Sequence, residues 1–111
     1  MRGRITTHVL DTAKGRPGAG MKVEFSVLEG KDWKPLKTVT TNKDGRTDQP
    51  LLEGEMLKAG TYQLLFHVGE YFGEKAFLDL VPIRFGITDA SVHYHVPLLC
   101  SPWGYTTYRG S

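Results

Sequence analysis

Alternation of apolar and polar residues runs through this chain and predicts strands. In the segment 22–29, Val23, Phe25 and Val27 fall on one side and Lys22, Glu24 and Ser26 on the other. That is the period of a half-buried strand. Further β-prone runs lie at 5–10, 33–41, 61–68, 83–88, 91–99 and 105–108. Clusters of turn residues separate them: Lys14 to Gly20, then Gly30-Lys31-Asp32, then Asn42-Lys43-Asp44-Gly45, then Ser101-Pro102-Trp103-Gly104. Asn, Asp and Gly accept positive φ, so the Asn42 cluster is a strong turn signal. The stretch 69–76 is the best helix candidate, with Tyr71, Phe72 and Phe77 available for packing. About eight short strands and one short helix predict an all-β sandwich of two sheets.

The same alternation places the histidines. From Val92 onward, Val92, Tyr94, Val96 and Leu98 face one way, and His93, His95, Pro97 and Leu99 face the other. Two imidazoles therefore share a strand face that turns apolar at its end. The simplest use of such a face is a pocket or an interface.

At 111 residues, the chain has the length of one domain, spanning 1–111. Hydrophobic residues make up 40% and charged residues 23%, a globular composition. The formal net charge is +2, with no block of like charge, so neither nucleic acid nor a membrane surface is an expected partner. No segment reaches membrane-spanning length. The first residues lack the apolar stretch of a signal peptide, and a cytoplasmic location is expected. The one cysteine, Cys100, lies in an apolar run and reads as a buried, inert thiol.

Candidate chemistry is sparse. Four histidines are present, His8, His67, His93 and His95. The spacing His93-x-His95 is one that metals use, but no cysteine or obvious carboxylate completes a ligand set, so no metal is expected. Taken singly, each histidine reads as structural, and Arg46 as a surface charge after a turn. Known phosphate-loop, dinucleotide and serine-nucleophile patterns are missing. The last four residues, Tyr108-Arg109-Gly110-Ser111, carry an unusual density of polar groups for a tail.

Read together, the segments Thr6-Thr7-His8-Val9-Leu10-Asp11, Gly15-Arg16-Pro17, Asp44-Gly45-Arg46, His93-Tyr94-His95-Val96-Pro97-Leu98-Leu99 and the terminal Tyr108-Arg109-Gly110-Ser111 carry a resemblance. The chain resembles the 5-hydroxyisourate hydrolases of the transthyretin-like family over nearly its whole length. The terminal tetrapeptide is the specific part. Trp103 and Thr106 stand where that family often has Tyr and Ser. The resemblance implies an eight-stranded β-sandwich of two antiparallel sheets with one short helix. It also implies a homotetramer, a dimer of edge-paired dimers, with active sites in the channel between them. His8, Arg46, His95 and Ser111 are the catalytic residues implied, and Tyr108 joins His8, Arg46 and His95 in binding substrate. His93 has a supporting place. The implied reaction is attack of water on a ring amide carbonyl of 5-hydroxyisourate, without a cofactor. The alternative within the same fold is a carrier of thyroid-hormone-like small molecules. Those carriers lack the terminal tetrapeptide and the His, Arg, His set.

Overall fold

The computed structural model describes residues 3–110 apart from Ala76. Strands β1 (Arg4–Asp11), β2 (Arg16–Pro17), β3 (Lys22–Glu29), β4 (Asp32–Thr40), β5 (Leu52–Glu53), β6 (Gly60–His67), β7 (Leu80–Ile87), β8 (His93–Cys100) and β9 (Tyr105–Thr107) form two sheets. One sheet runs β2-β1-β8-β9, with β5 also pairing β1; the other runs β4-β3-β6-β7. A single helix, α1 (Val68–Phe72), follows β6.

Alternation does what it predicts. Val23 and Phe25 of β3, Tyr62, Leu64 and Phe66 of β6, and Tyr94, Val96 and Leu98 of β8 are buried between the sheets. Phe25, Tyr62 and Phe85 stack in a row, with centroids 5.6 Å and then 6.1 Å apart. The row crosses neighbouring strands β3, β6 and β7 of the second sheet, and burying one large apolar side chain stabilises by about 1.5–3 kcal/mol. The inner face of β1 also carries two polar residues, Thr7 and Asp11. Both are satisfied: the Thr7 hydroxyl donates to the Val96 carbonyl, and Asp11 accepts from the Tyr71 hydroxyl and the Lys14 amide. Burial, then the bond to Asp11, pushes the Tyr71 phenol up to about 12. Cys100 is fully buried, and burial pushes its thiol up to about 12, which makes it inert as expected.

Three details differ from the sequence-based expectation. Nine strands form, because two-residue β2 and β5 pair with β1 at its two ends, at Leu10–Asp11 and at Arg4–Ile5. They are too short to show any period. Next, β1 and β8 run parallel, within sheets otherwise antiparallel. The whole second sheet separates them in sequence, so no hairpin constrains their direction. Finally, the helix is short. It ends at Gly73, whose φ of 79° closes it, rather than continuing to residue 76.

Candidate active site

The free edge of β1 is covered in pieces. β2 covers one end and β5 the other, and between them His8 bridges to Arg46. Gly45 supports this bridge, its carbonyl accepting from the Val9 amide at 2.7 Å. The turn that delivers Arg46 is held by one side chain. The Asn42 carboxamide oxygen accepts from the amides of Asp44 and Arg46 at 2.9 and 3.1 Å. Gly45 has φ +77°, and a Cβ there would lie 2.3 Å from the Val9 carbonyl oxygen. Only glycine meets both demands.

On the outward face, β1 and β8 bring their polar residues into register. Arg4 pairs with His93, Thr6 with His95, and His8 with Pro97. A cleft of about 420 Å³ opens over this face. Arg4, Thr6, His93 and His95 form its floor, and the loop from Arg46 to Pro50 forms a wall. That volume suits a small ligand. His93 and His95 lie with ring centroids 6.0 Å apart.

Hydrogen bonds define some tautomers. His8 Nε2 lies 3.0 Å from the Asp44 carbonyl oxygen. A carbonyl only accepts, so Nε2 carries the His8 proton and Nδ1 keeps the lone pair. Thr6 Oγ1 contacts His93 Nε2 at 2.6 Å and His95 Nδ1 at 2.8 Å.

Electrostatics keep these rings neutral. Burial, then Arg46, holds His8 below its ordinary 6.5. Burial, then Arg46, His93 and His8, does the same for His95. Burial, then Arg4, lowers His93. Neutral imidazoles near neutral pH are acceptors for a proton.

The tail closes one side. The Gly110 amide donates to the His95 carbonyl at 2.8 Å, and a Cβ on Gly110 would sit 2.5 Å from His95 Cδ2. Arg109 lies over the Tyr94 ring at 4.5 Å, on the inward side. The structure therefore brings together His8, Arg46 and His95, with His93 beside them. Tyr108 follows Thr107, the register partner of Leu98, and precedes Gly110, the bridge partner of His95. Its register position thus falls opposite Pro97 on the histidine face, yet it does not line the cleft. It lines a second cavity with Tyr94, Val96 and Arg109. Ser111 lies outside the described residues. Thr6 was not anticipated, because only the parallel pairing of β1 with β8 places it between the imidazoles. Among the described residues, no group of three or more His, Cys, Asp or Glu side chains stands ready for a metal ion.

Comparison with known proteins supplies a second kind of finding. The HIUase/Transthyretin family pattern matches residues 5–110. A 5-hydroxyisourate hydrolase 2 from Rhizobium meliloti (strain 1021) is 58% identical, over 98% of this chain and 97% of the relative. A crystal structure of (S)-allantoin synthase superposes with a TM-score of 0.92 at 42% identity, over 99% of this chain. This chain spans 44% of that one. Sea bream transthyretin in complex with thyroxine superposes with a TM-score of 0.88 at 25% identity, over 96% of this chain and 94% of that one.

Proposed function

This chain belongs to the HIUase/Transthyretin family, and from that premise we propose that it hydrolyses 5-hydroxyisourate to 2-oxo-4-hydroxy-4-carboxy-5-ureidoimidazoline in urate degradation. One observation carries the reading. His8, Arg46 and His95 come from three distant segments and meet on one outward face, the two imidazoles held neutral and the guanidinium beside them.

Hydrolysis of a cyclic amide needs a base for water and a partner for the oxyanion. His95 Nε2 and His8 Nδ1 are the ring nitrogens left over by the hydrogen bonds described above. One of them takes the water proton as the oxygen attacks the carbonyl carbon. A positioned general base contributes about 10²–10⁴-fold. Arg46 is a permanent cation with planar donors, suited to the developing oxyanion and to the edge of a urate-like ring. The carbon–nitrogen bond then breaks, and the proton passes to the departing ring nitrogen. Tyr108 offers its ring or hydroxyl to the planar substrate, and Ser111 a hydrogen bond. Such chemistry calls on no cofactor.

In this reading, residues 1–111 act as one domain in the cytoplasm, and four copies assemble as a dimer of dimers. What supports assembly is the state of the sheet edges. Among the described strands, β7 and β9 pair on one side each, and Leu80, Tyr105 and Tyr108 along or beside them are exposed. Edges of that kind invite pairing. The sea bream carrier shares the fold, but fold does not decide function. A cleft floored by two imidazoles and walled by Arg46 favours hydrolysis over carriage of an apolar hormone.

The test is ultraviolet absorbance decay of freshly generated 5-hydroxyisourate, made from urate by urate oxidase. The intact chain accelerates the decay, and a variant truncated after Thr107 does not. Decay at the spontaneous rate with folded, intact protein would overturn the reading.

A further inference from the structure

One hydroxyl sits between two imidazoles. Thr6 Oγ1 is 2.6 Å from His93 Nε2 and 2.8 Å from His95 Nδ1. Both distances are those of good hydrogen bonds. A hydroxyl has a single proton, so it donates to one ring nitrogen and accepts from the other. Two neutral arrangements satisfy that rule. In the first, Thr6 donates to His95 Nδ1 and accepts from a protonated His93 Nε2. The His95 proton then sits on Nε2, and that ring has no lone pair to offer. In the second, His95 Nδ1 donates to Thr6, and Thr6 donates to His93 Nε2. The His95 lone pair is then on Nε2, the nitrogen Thr6 does not occupy.

We propose that Thr6 is a positioning residue: its hydroxyl, oriented by His93, holds His95 as the Nδ1-protonated tautomer and leaves Nε2 as the base. The proposal rests on the hydrolase reading for its catalytic consequence, though the tautomer itself does not. It also assigns His93 a task. His93 never touches the water; it accepts the Thr6 proton and so fixes the direction of the chain. A protonated His93 would donate to Thr6 and reverse both bonds, which removes the lone pair from His95 Nε2.

The surroundings oppose the charged rings that would break this hydrogen-bond chain. From β1, Arg4 bears on His93 and His8 on His95. From the facing loop, Arg46 bears on His95, and Asp48 lines the same cleft. From the tail, Gly110 adds contact but no charge. Burial and Arg4 together lower His93, so the doubly protonated ring, which would force the reversed direction, is disfavoured near neutral pH.

Two measurements test this. The first is nitrogen-15 NMR of the histidine rings in the folded protein. His95 is expected to be protonated at Nδ1 in the wild type and in Thr6→Ser, and to revert to the Nε2-protonated form in Thr6→Val, which keeps the shape but lacks the hydroxyl. The second is turnover of 5-hydroxyisourate. Thr6→Val is expected to lower kcat about ten- to a hundredfold, with KM changed less than about twofold, as befits a misdirected base. Thr6→Ser recovers most of that loss. His93→Phe slows the wild type, yet costs nothing more in the Thr6→Val background, since the chain is already broken.

An Nε2-protonated His95 in the wild type overturns the proposal, as does full kcat in Thr6→Val. Independent, multiplying losses for Thr6→Val and His93→Phe overturn the role given to His93. If the wild type fails to turn over 5-hydroxyisourate while the NMR pattern holds, the hydrolase reading falls and the positioning by Thr6 stands.

Discussion

Both sheets carry histidine on their outward faces, in opposite company. On the second sheet, His67 of β6 meets Glu24 of β3 at 2.6 Å. On the first sheet, Thr6 bonds both His93 and His95, Arg4 bears on His93, and Arg46 bears on His8 and His95. Burial and neighbouring cations favour the neutral imidazole on the first sheet. One residue type thus bonds a carboxylate on one face and, in the proposed mechanism, supplies the bases on the other. The sequence distance between elements hides this difference, and the sheet registers produce it.

The sharpest way to break the contrast is to remove a base. His95→Asn is expected to cut kcat/KM by about 10²–10⁴-fold while leaving the thermal midpoint near wild type, because the proposed mechanism uses the ring as a base. Stopped-flow decay of 5-hydroxyisourate beside calorimetry checks both halves. An active, folded variant contradicts the assignment of His95.

Arg46→Gln comes next. Loss of one oxyanion partner costs about a hundredfold, close to 3 kcal/mol. It also removes the cation that, after burial, lowers His8 and His95. The acid limb of the rate profile should therefore move up toward 6.5. A slower enzyme with an unmoved limb would separate Arg46 from the electrostatics of the site.

A smaller effect is expected at Gly110. An added methyl would lie 2.5 Å from His95 Cδ2, so the ring must shift. Gly110→Ala is expected to lose about tenfold in kcat through misplacement alone. Gly104→Ala, with nothing within 4 Å of the new Cβ, is the matched control and keeps full activity.

The smallest effect belongs to the other sheet. His67→Gln breaks the hydrogen bond with Glu24, yet turnover stays at wild-type level and stability falls by no more than about 1 kcal/mol, the range of one side-chain hydrogen bond. A large loss of activity would show that the two faces are coupled.

Much of this was legible in the sequence, for identifiable reasons. Alternation at Val23, Phe25 and Val27 of β3 reports burial on one side, and the two histidines of β8 follow from the same period. Asn42 to Gly45 announces the turn that presents Arg46. What stayed hidden depends on pairing between distant segments. β2 and β5 have two residues each and exist because β1 offers them an edge. β7 begins at Leu80, ahead of Pro82, which is tolerated because β7 is an edge strand. Thr6 looks like any β-prone threonine until parallel pairing sets it beside His95. Tyr108 matches the expected motif, yet within one chain it lies outside the cleft.

The most direct test of the account is the pH dependence of kcat/KM for 5-hydroxyisourate in the wild-type protein. The central claim is that histidines kept neutral by burial and by flanking cations do the proton transfer. Because their folded pKa values lie below 6.5, activity should hold as pH falls through 6.5 and decline only at more acid pH. The fold itself should weaken in the same direction, since the unfolded chain binds more protons below 6.5. A rate that already halves above 6.5, or one that shows no acid limb in a folded protein, would contradict the claim.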